Sequence, residues 1–133
     1  MEIEGGCYCG QLRYQFSGEP MFQGQCHCRE CQYISGGAPN MVLGLPHEGF
    51  SYTQGEAAQF TRDDLDTPVT RDFCANCGTH MLARPPGFPG VALKVGTMDD
   101  SSAFSPQMAI FTCDAQPYHE IADGVTQFDK TPG

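Results

Sequence analysis

The chain is predicted to be a small, mainly β domain organised around metal-bound cysteines, and three observations predict it. At 133 residues it has the size of one compact domain. Its 16 Gly and 10 Pro break the chain into short segments that leave no room for long helices. Eight cysteines fall largely into three tight clusters. We therefore expect a single domain over residues 1–133 built from several short antiparallel β-sheets.

The elements follow in chain order. Gln11 to Phe16 alternates, so that Leu12, Tyr14 and Phe16 share one face of a strand. Further strands are expected at Phe22 to Cys26, Met41 to Leu45, Phe50 to Thr53, Val69 to Phe73, Met81 to Arg84, Val91 to Val95 and Met108 to Thr112. The one short helix is placed at Arg29 to Ser35, just after the second cysteine cluster. Leading from the Met81 strand to the Val91 strand, the loop Arg84-Pro85-Pro86-Gly87-Phe88-Pro89-Gly90 is too rich in rigid and permissive residues for regular structure. The closing Lys130-Thr131-Pro132-Gly133 is expected to fray.

Composition narrows the partners. A formal charge of -9 with only seven Lys and Arg argues against nucleic acid or an anionic membrane, both of which need clustered cations. No apolar run approaches the ~20 residues of a membrane span, and the opening Met-Glu-Ile-Glu-Gly-Gly has neither a basic nor an apolar leader region. A cytoplasmic protein with a small-molecule or protein partner is expected. In that setting, closely spaced cysteines point to metal binding before disulfides.

Cys7-Tyr8-Cys9-Gly10, Cys26-His27-Cys28-Arg29-Glu30-Cys31 and Cys74-Ala75-Asn76-Cys77-Gly78 all have metal-ligand spacing. Gly10 and Gly78 can take the left-handed backbone that aims amides at the sulfurs. The first and third clusters offer Cys7, Cys9, Cys74 and Cys77, enough for a closed tetrahedral zinc site of structural kind. Cys26, Cys28 and Cys31 offer three sulfurs and leave a tetrahedral ion one ligand short. Such a zinc is a poor Lewis acid, and a substrate thiolate is its natural fourth ligand. Two plainer readings stand beside this one: the three cysteines are reduced turn residues, or His27 or Cys113 closes a second structural site.

Other residues divide in the same way. His27, between two ligands, should point away from their metal. His80 and His119 are expected at the surface or the core edge. Asp99 and Asp100 read as turn or cap residues before paired acid and base. Arg29, inside the open cluster, is the best-placed cation for a ligand carboxylate, with Arg84 and Lys94 behind it; each also reads as solvated surface. Cys113, beside Phe111 in an apolar run, reads as a buried inert thiol.

The cysteine clusters in this order resemble the glutathione-dependent formaldehyde-activating enzyme family. So do Ser35-Gly36, Phe73 to Thr79, Val95-Gly96-Thr97-Met98-Asp99-Asp100 and Pro117-Tyr118-His119. The resemblance covers nearly the whole chain, although Tyr118 stands where members often carry Trp. It implies a tent-like β fold, a structural zinc on Cys7, Cys9, Cys74 and Cys77, and a catalytic zinc on Cys26, Cys28 and Cys31. It also implies a carbon–sulfur lyase activity joining formaldehyde to glutathione as S-hydroxymethylglutathione. A thiol carrier, a zinc-held binding module without turnover, and a lyase or hydrolase of another thiol adduct are the alternatives.

Overall fold

A computed structural model describes residues 1–132. The described residues form two β-sheets and one short α-helix. The strands are β1 (Glu2–Gly6), β2 (Arg13–Ser17), β3 (Phe22–Cys26), β4 (Asn40–Pro46), β5 (Phe50–Gln54), β6 (Ala58–Phe60), β7 (Thr70–Phe73), β8 (His80–Arg84), β9 (Gly90–Lys94), β10 (Met108–Ile110) and β11 (Thr126–Gln127); the helix α1 is Arg29–Ile34. A small antiparallel sheet runs β1-β2-β5, and a larger one runs β11-β10-β3-β4-β9-β8-β7-β6. The larger sheet is antiparallel from β3 to β6, with β10 and β11 added in parallel at its other end.

Pairing register divides the larger sheet into two unlike faces. Leu43 opposes Leu93 and Leu93 opposes Leu82, so the three share one face. That face packs on Tyr14 and Phe16 of the small sheet, which with Leu12 are at most 2% exposed, as the alternation of β2 requires. Burying a side chain of this size contributes ~1.5–3 kcal/mol, and this layer is the main core. On the opposite face Val42 opposes Lys94, and Ala92 opposes Ala83, which opposes Arg71. Cys26 and Asn40, direct partners one step along the same alternation, belong to this second face as well.

The two sheets are closed at one edge by the turn after β9. Val95–Thr97 forms a 3₁₀ turn, with the Thr97 hydroxyl donating to the Lys94 carbonyl at 2.7 Å and receiving the Tyr14 hydroxyl at 2.8 Å. Gly5 of β1 bridges to Met98 across this turn. Only glycine fits there, since a Cβ would lie 2.2 Å from the Thr97 carbonyl oxygen.

Several expectations shift at strand ends. The strand expected from Met108 to Thr112 stops at Ile110, because Phe111 takes a left-handed backbone with φ 54° and a 3₁₀ turn follows at Thr112–Asp114. This change of direction leaves Cys113 exposed, which corrects its reading as a buried thiol. The fraying expected at Lys130–Gly133 does not begin at Lys130, whose carbonyl accepts from the Phe111 amide at 2.9 Å; Gly133 lies outside the described residues. No helix among the described residues is long and apolar enough to cross a membrane.

Candidate metal centres

The β1–β2 and β7–β8 turns bring Cys7, Cys9, Cys74 and Cys77 together, with all four sulfurs within 4.8 Å of one another. Cys7 and Cys9 sulfurs are 3.6 Å apart, and those of Cys9 and Cys74 are 3.8 Å apart. A zinc ion with Zn–S bonds of ~2.3 Å requires sulfur separations of about 3.8 Å, so these four thiols fit tetrahedral zinc. Gly10 and Gly78 do adopt left-handed backbone, with φ 85° and 80°. The reversal turns the Leu12 amide onto the Cys7 sulfur at 3.2 Å.

Thr79 joins the two turns of this centre. Its hydroxyl accepts from the Tyr8 amide at 3.1 Å and donates to the Cys77 sulfur at 3.2 Å. That hydroxyl is the chief reason the Cys77 thiol is pulled down to about 5, into the range where it is a thiolate at neutral pH. Sequence reasoning gave Thr79 no role, since a threonine two residues beyond a ligand has no spacing signature.

The second centre lies on the other face of the larger sheet. Cys26 ends β3, Cys28 caps α1, and Cys31 sits in its first turn, with their three sulfurs within 4.8 Å of one another. The Cys31 amide donates to the Cys28 sulfur at 3.3 Å, and Asn40 Nδ2 donates to the Cys31 sulfur at 3.4 Å. Hydrogen bonds from Cys26 and Cys28 pull the Cys31 thiol down to about 2. The same bonds to Cys28 and Cys31, with burial, push Cys26 up. The donor set suits a soft, thiophilic ion such as zinc.

His27 is fully buried, and neither of its ring nitrogens is gathered with the three sulfurs. Its Nδ1 lies 2.8 Å from His119 Nδ1, and its Nε2 lies 2.9 Å from Gln25 Nε2. Because His119 Nδ1 also receives the Gln116 amide and its Nε2 reaches the Gly37 carbonyl, the ordered arrangement has His27 donating to His119. Both His27 nitrogens are engaged, so His27 does not complete a metal site. Burial, then the neighbouring His119, holds its pKa below the ordinary value. Cys113 is not among the gathered sulfurs.

The remaining candidates separate clearly. Arg29 is exposed, bonded to Gln32 Oε1 and stacked 5.2 Å from the Tyr33 ring centre. Arg84 is committed to the buried Asp72 carboxylate at 2.9 and 3.0 Å, on the core face. Asp99 pairs with Arg13, and Asp100 caps Ser102, so the bland reading of these acids holds. Lys94 departs from its solvated-surface reading: it is only 8% exposed, on the face of the second centre. Burial lowers its pKa, against the opposing pull of Cys31. A lone cation in the apolar run Val91 to Val95 was the sequence signal for this position.

Fold and thiol clusters together define a small β protein with a closed four-sulfur centre and an open three-sulfur one. The chain matches the sequence model of the family described as "Glutathione-dependent formaldehyde-activating enzyme" over residues 2–114, and it belongs to that family. It is 26% identical over 113 residues to a Halomonas elongata protein named "Putative glutathione-dependent formaldehyde-activating enzyme", an alignment covering 80% of this chain and 71% of the relative. Its fold is also similar to a crystal structure of a Rhodobacter sphaeroides protein, with a TM-score of 0.56 at 16% identity, covering 72% of this chain and 87% of the other.

Proposed function

We propose that the protein is a zinc-dependent enzyme of carbon–sulfur lyase type. It binds glutathione or a related thiol at Cys26, Cys28 and Cys31 and forms or cleaves an S-hydroxymethyl adduct with formaldehyde. The observation that carries this reading is the gathering of three sulfurs with no fourth metal-ligating side chain beside them among the described residues. Zinc bound there supplies one thing, a positive centre that keeps a substrate sulfur ionised near neutral pH.

The chain's own residues supply the rest. Cys28, as the cap of α1, fixes the helix so that Cys31 faces Cys26, and Asn40 steadies Cys31 from the neighbouring strand. Gln32 locks the helix to the sheet edge, donating to the His27 carbonyl at 2.8 Å and the Asp114 carbonyl at 2.9 Å. Holding thiol and aldehyde in one place is the main catalytic contribution, because thiols and formaldehyde need little activation beyond ionisation and proximity. The four-cysteine centre is the structural zinc in this reading, within a single domain over residues 1–133. Arg29 is the cation offered to a glutathione carboxylate. A cytoplasmic setting goes with this reading, since closely spaced cysteines that hold metal suit a reducing compartment.

Two measurements test this together. Zinc per chain, determined by elemental analysis without chelator, should reach two equivalents when glutathione is present. Exchange between ¹³C-formaldehyde and glutathione, followed by NMR, should run faster with the protein than without it. Binding of glutathione with exchange at the uncatalysed rate would instead describe a thiol carrier.

A further inference from the structure

Among the described residues, three buried side-chain nitrogens have no hydrogen-bond partner: Arg71 Nε, His80 Nδ1 and Lys94 Nζ. They come from the adjacent strands β7, β8 and β9. Arg71 and Lys94 stand on the face that carries Cys26 and Asn40, and Arg71 Nη2 is fixed at 3.0 Å by Glu30 of the helix that holds Cys31. The charges of Cys31, Arg71, Cys26 and Cys28 all act on Lys94, and those of Lys94 and Arg71 act on His80. Strand order and register thus put Lys94 and Arg71 on the side of the sheet that holds the three sulfurs, with His80 on the strand between them.

A buried donor left unpaired costs ~1–3 kcal/mol, and more when it is charged. Three such atoms on adjacent strands, two of them on Lys and Arg, contribute nothing to the fold that would offset this cost. They make sense as a place for anionic oxygen: Arg13, Arg62 and Arg84 hold carboxylates and Arg71 holds Glu30 through Nη2, while Arg71 Nε and Lys94 Nζ hold none. Burial limits the guest: with Lys94 8% exposed, the ammonium is reached by a small group close to the sulfurs and not by the far end of a peptide.

We propose that Lys94 is a catalytic residue whose ammonium, supported by Arg71 and His80, holds the aldehyde-derived oxygen of the S-hydroxymethyl group. This inference rests on the proposed function. In the forward step the sulfur lone pair of the thiolate forms the C–S bond to formaldehyde, and the C=O π pair moves to oxygen. The charge that develops on oxygen meets the three donors, and the oxygen takes a proton from water to give the hydroxymethyl adduct. Cleavage runs through the same contacts in reverse.

The test is Lys94→Met in the full-length zinc-loaded chain, beside the unaltered protein. Methionine removes a buried ammonium that has no hydrogen-bond partner and keeps the length of the side chain, so the melting temperature should change little. Zinc content and glutathione affinity, by elemental analysis and calorimetry, should change less than about twofold, while formaldehyde exchange by ¹³C NMR should fall about 100-fold, the loss expected from deleting one oxyanion donor. Unchanged exchange overturns the inference. So does a loss of zinc, glutathione affinity or melting temperature in step with the rate, which would assign the ammonium to the metal, the thiol or the fold. Should Lys94→Met not fold, Lys94→Gln serves in its place, and full exchange in that variant also overturns the inference. If the unaltered protein gives no exchange above background, the proposed function falls and this inference with it, an outcome distinct from an active parent with an equally active variant.

Discussion

Asp72 is the strongest polar joint between the two sheets, and replacing it with asparagine should be costly. The side chain is almost fully buried and accepts four hydrogen bonds: Tyr52 Oη at 2.8 Å, Gln59 Nε2 at 3.0 Å, Arg84 Nε at 3.0 Å and Arg84 Nη2 at 2.9 Å. Tyr52 belongs to the small sheet and the others to the large one, so the carboxylate ties the layers together. Breaking one partner of a buried pair costs ~3–5 kcal/mol. The Arg84 side chain is 34% exposed, however, so water screens part of the loss and the lower end of that range applies. Asp72→Asn should therefore destabilise by about 3 kcal/mol and lower the melting temperature by roughly 10 °C for a chain of this size. Burial alone would push the Asp72 pKa up, but Arg84, Tyr52 and Gln59 outweigh it and hold it below the ordinary aspartate value. A lowered folded pKa gives stability that is complete above the unfolded value and is lost as pH falls through the folded one. The gap between parent and variant, from urea midpoints with zinc held constant, should be flat from pH 7 to about pH 5. It should narrow only below the ordinary aspartate range of about 4. A cost under about 1 kcal/mol at pH 7, or a gap that widens in acid, refutes the reasoning, since a buried pair on this scale admits neither.

Acid should release zinc from the four-cysteine centre in parallel with loss of the folded circular-dichroism signal, because protons compete for the thiolates; a chain that stays folded without metal would remove the structural role from Cys7, Cys9, Cys74 and Cys77. Thr79→Val deletes the hydroxyl between Tyr8 and Cys77 and should cost about 1 kcal/mol. It should also speed zinc transfer to a chromophoric chelator; an unchanged transfer rate would show that the hydroxyl does not hold the Cys77 thiolate. Gly5→Ala sets a Cβ 2.2 Å from the Thr97 carbonyl and 2.4 Å from Tyr14 Oη, so urea denaturation should show a loss of about 2 kcal/mol or more. Gly96→Ala meets nothing within 4 Å and should stay within about 0.5 kcal/mol of the parent. Equal effects at the two glycines would contradict the close approach at Gly5.

Strands with their own pattern were legible, and strands made by their neighbours were not. Phe22–Cys26 has the same bounds by sequence and by structure, and Leu12, Tyr14 and Phe16 share a buried face as their alternation demands. β1 escaped because Glu2-Ile3-Glu4-Gly5-Gly6 holds one large apolar residue, too few for a period. Its stability comes from Ile3 opposing Phe16 and from the 3₁₀ turn against Gly5. β6 and β11, of three and two residues, exist through pairing with β7 and β10. Phe111 broke the expected strand because its left-handed backbone is set by contacts to the C-terminal segment, with its amide on Lys130 and the next on Phe128.

The site was legible to the extent that its chemistry is local. Cys26, Cys28 and Cys31 lie within one strand end and one helical turn, so spacing alone brings their sulfurs together. Arg71, His80 and Lys94 are up to 23 positions apart, and only the registers of β7, β8 and β9 make them neighbours. The two faces of the large sheet also divide the work. Leu43, Leu82 and Leu93 build the core on one side, while the other carries the cysteine triad, Arg71 and Lys94 around Val42, Ala83 and Ala92. Stability and chemistry should therefore respond to different substitutions. Asp72→Asn, on the core face, should lower stability and leave the exchange rate of the folded fraction alone; Lys94→Met, on the opposite face, should do the reverse. A shared response to both would mean that the two faces are coupled through the sheet, and the second centre could not then be treated as a site resting on an independent scaffold.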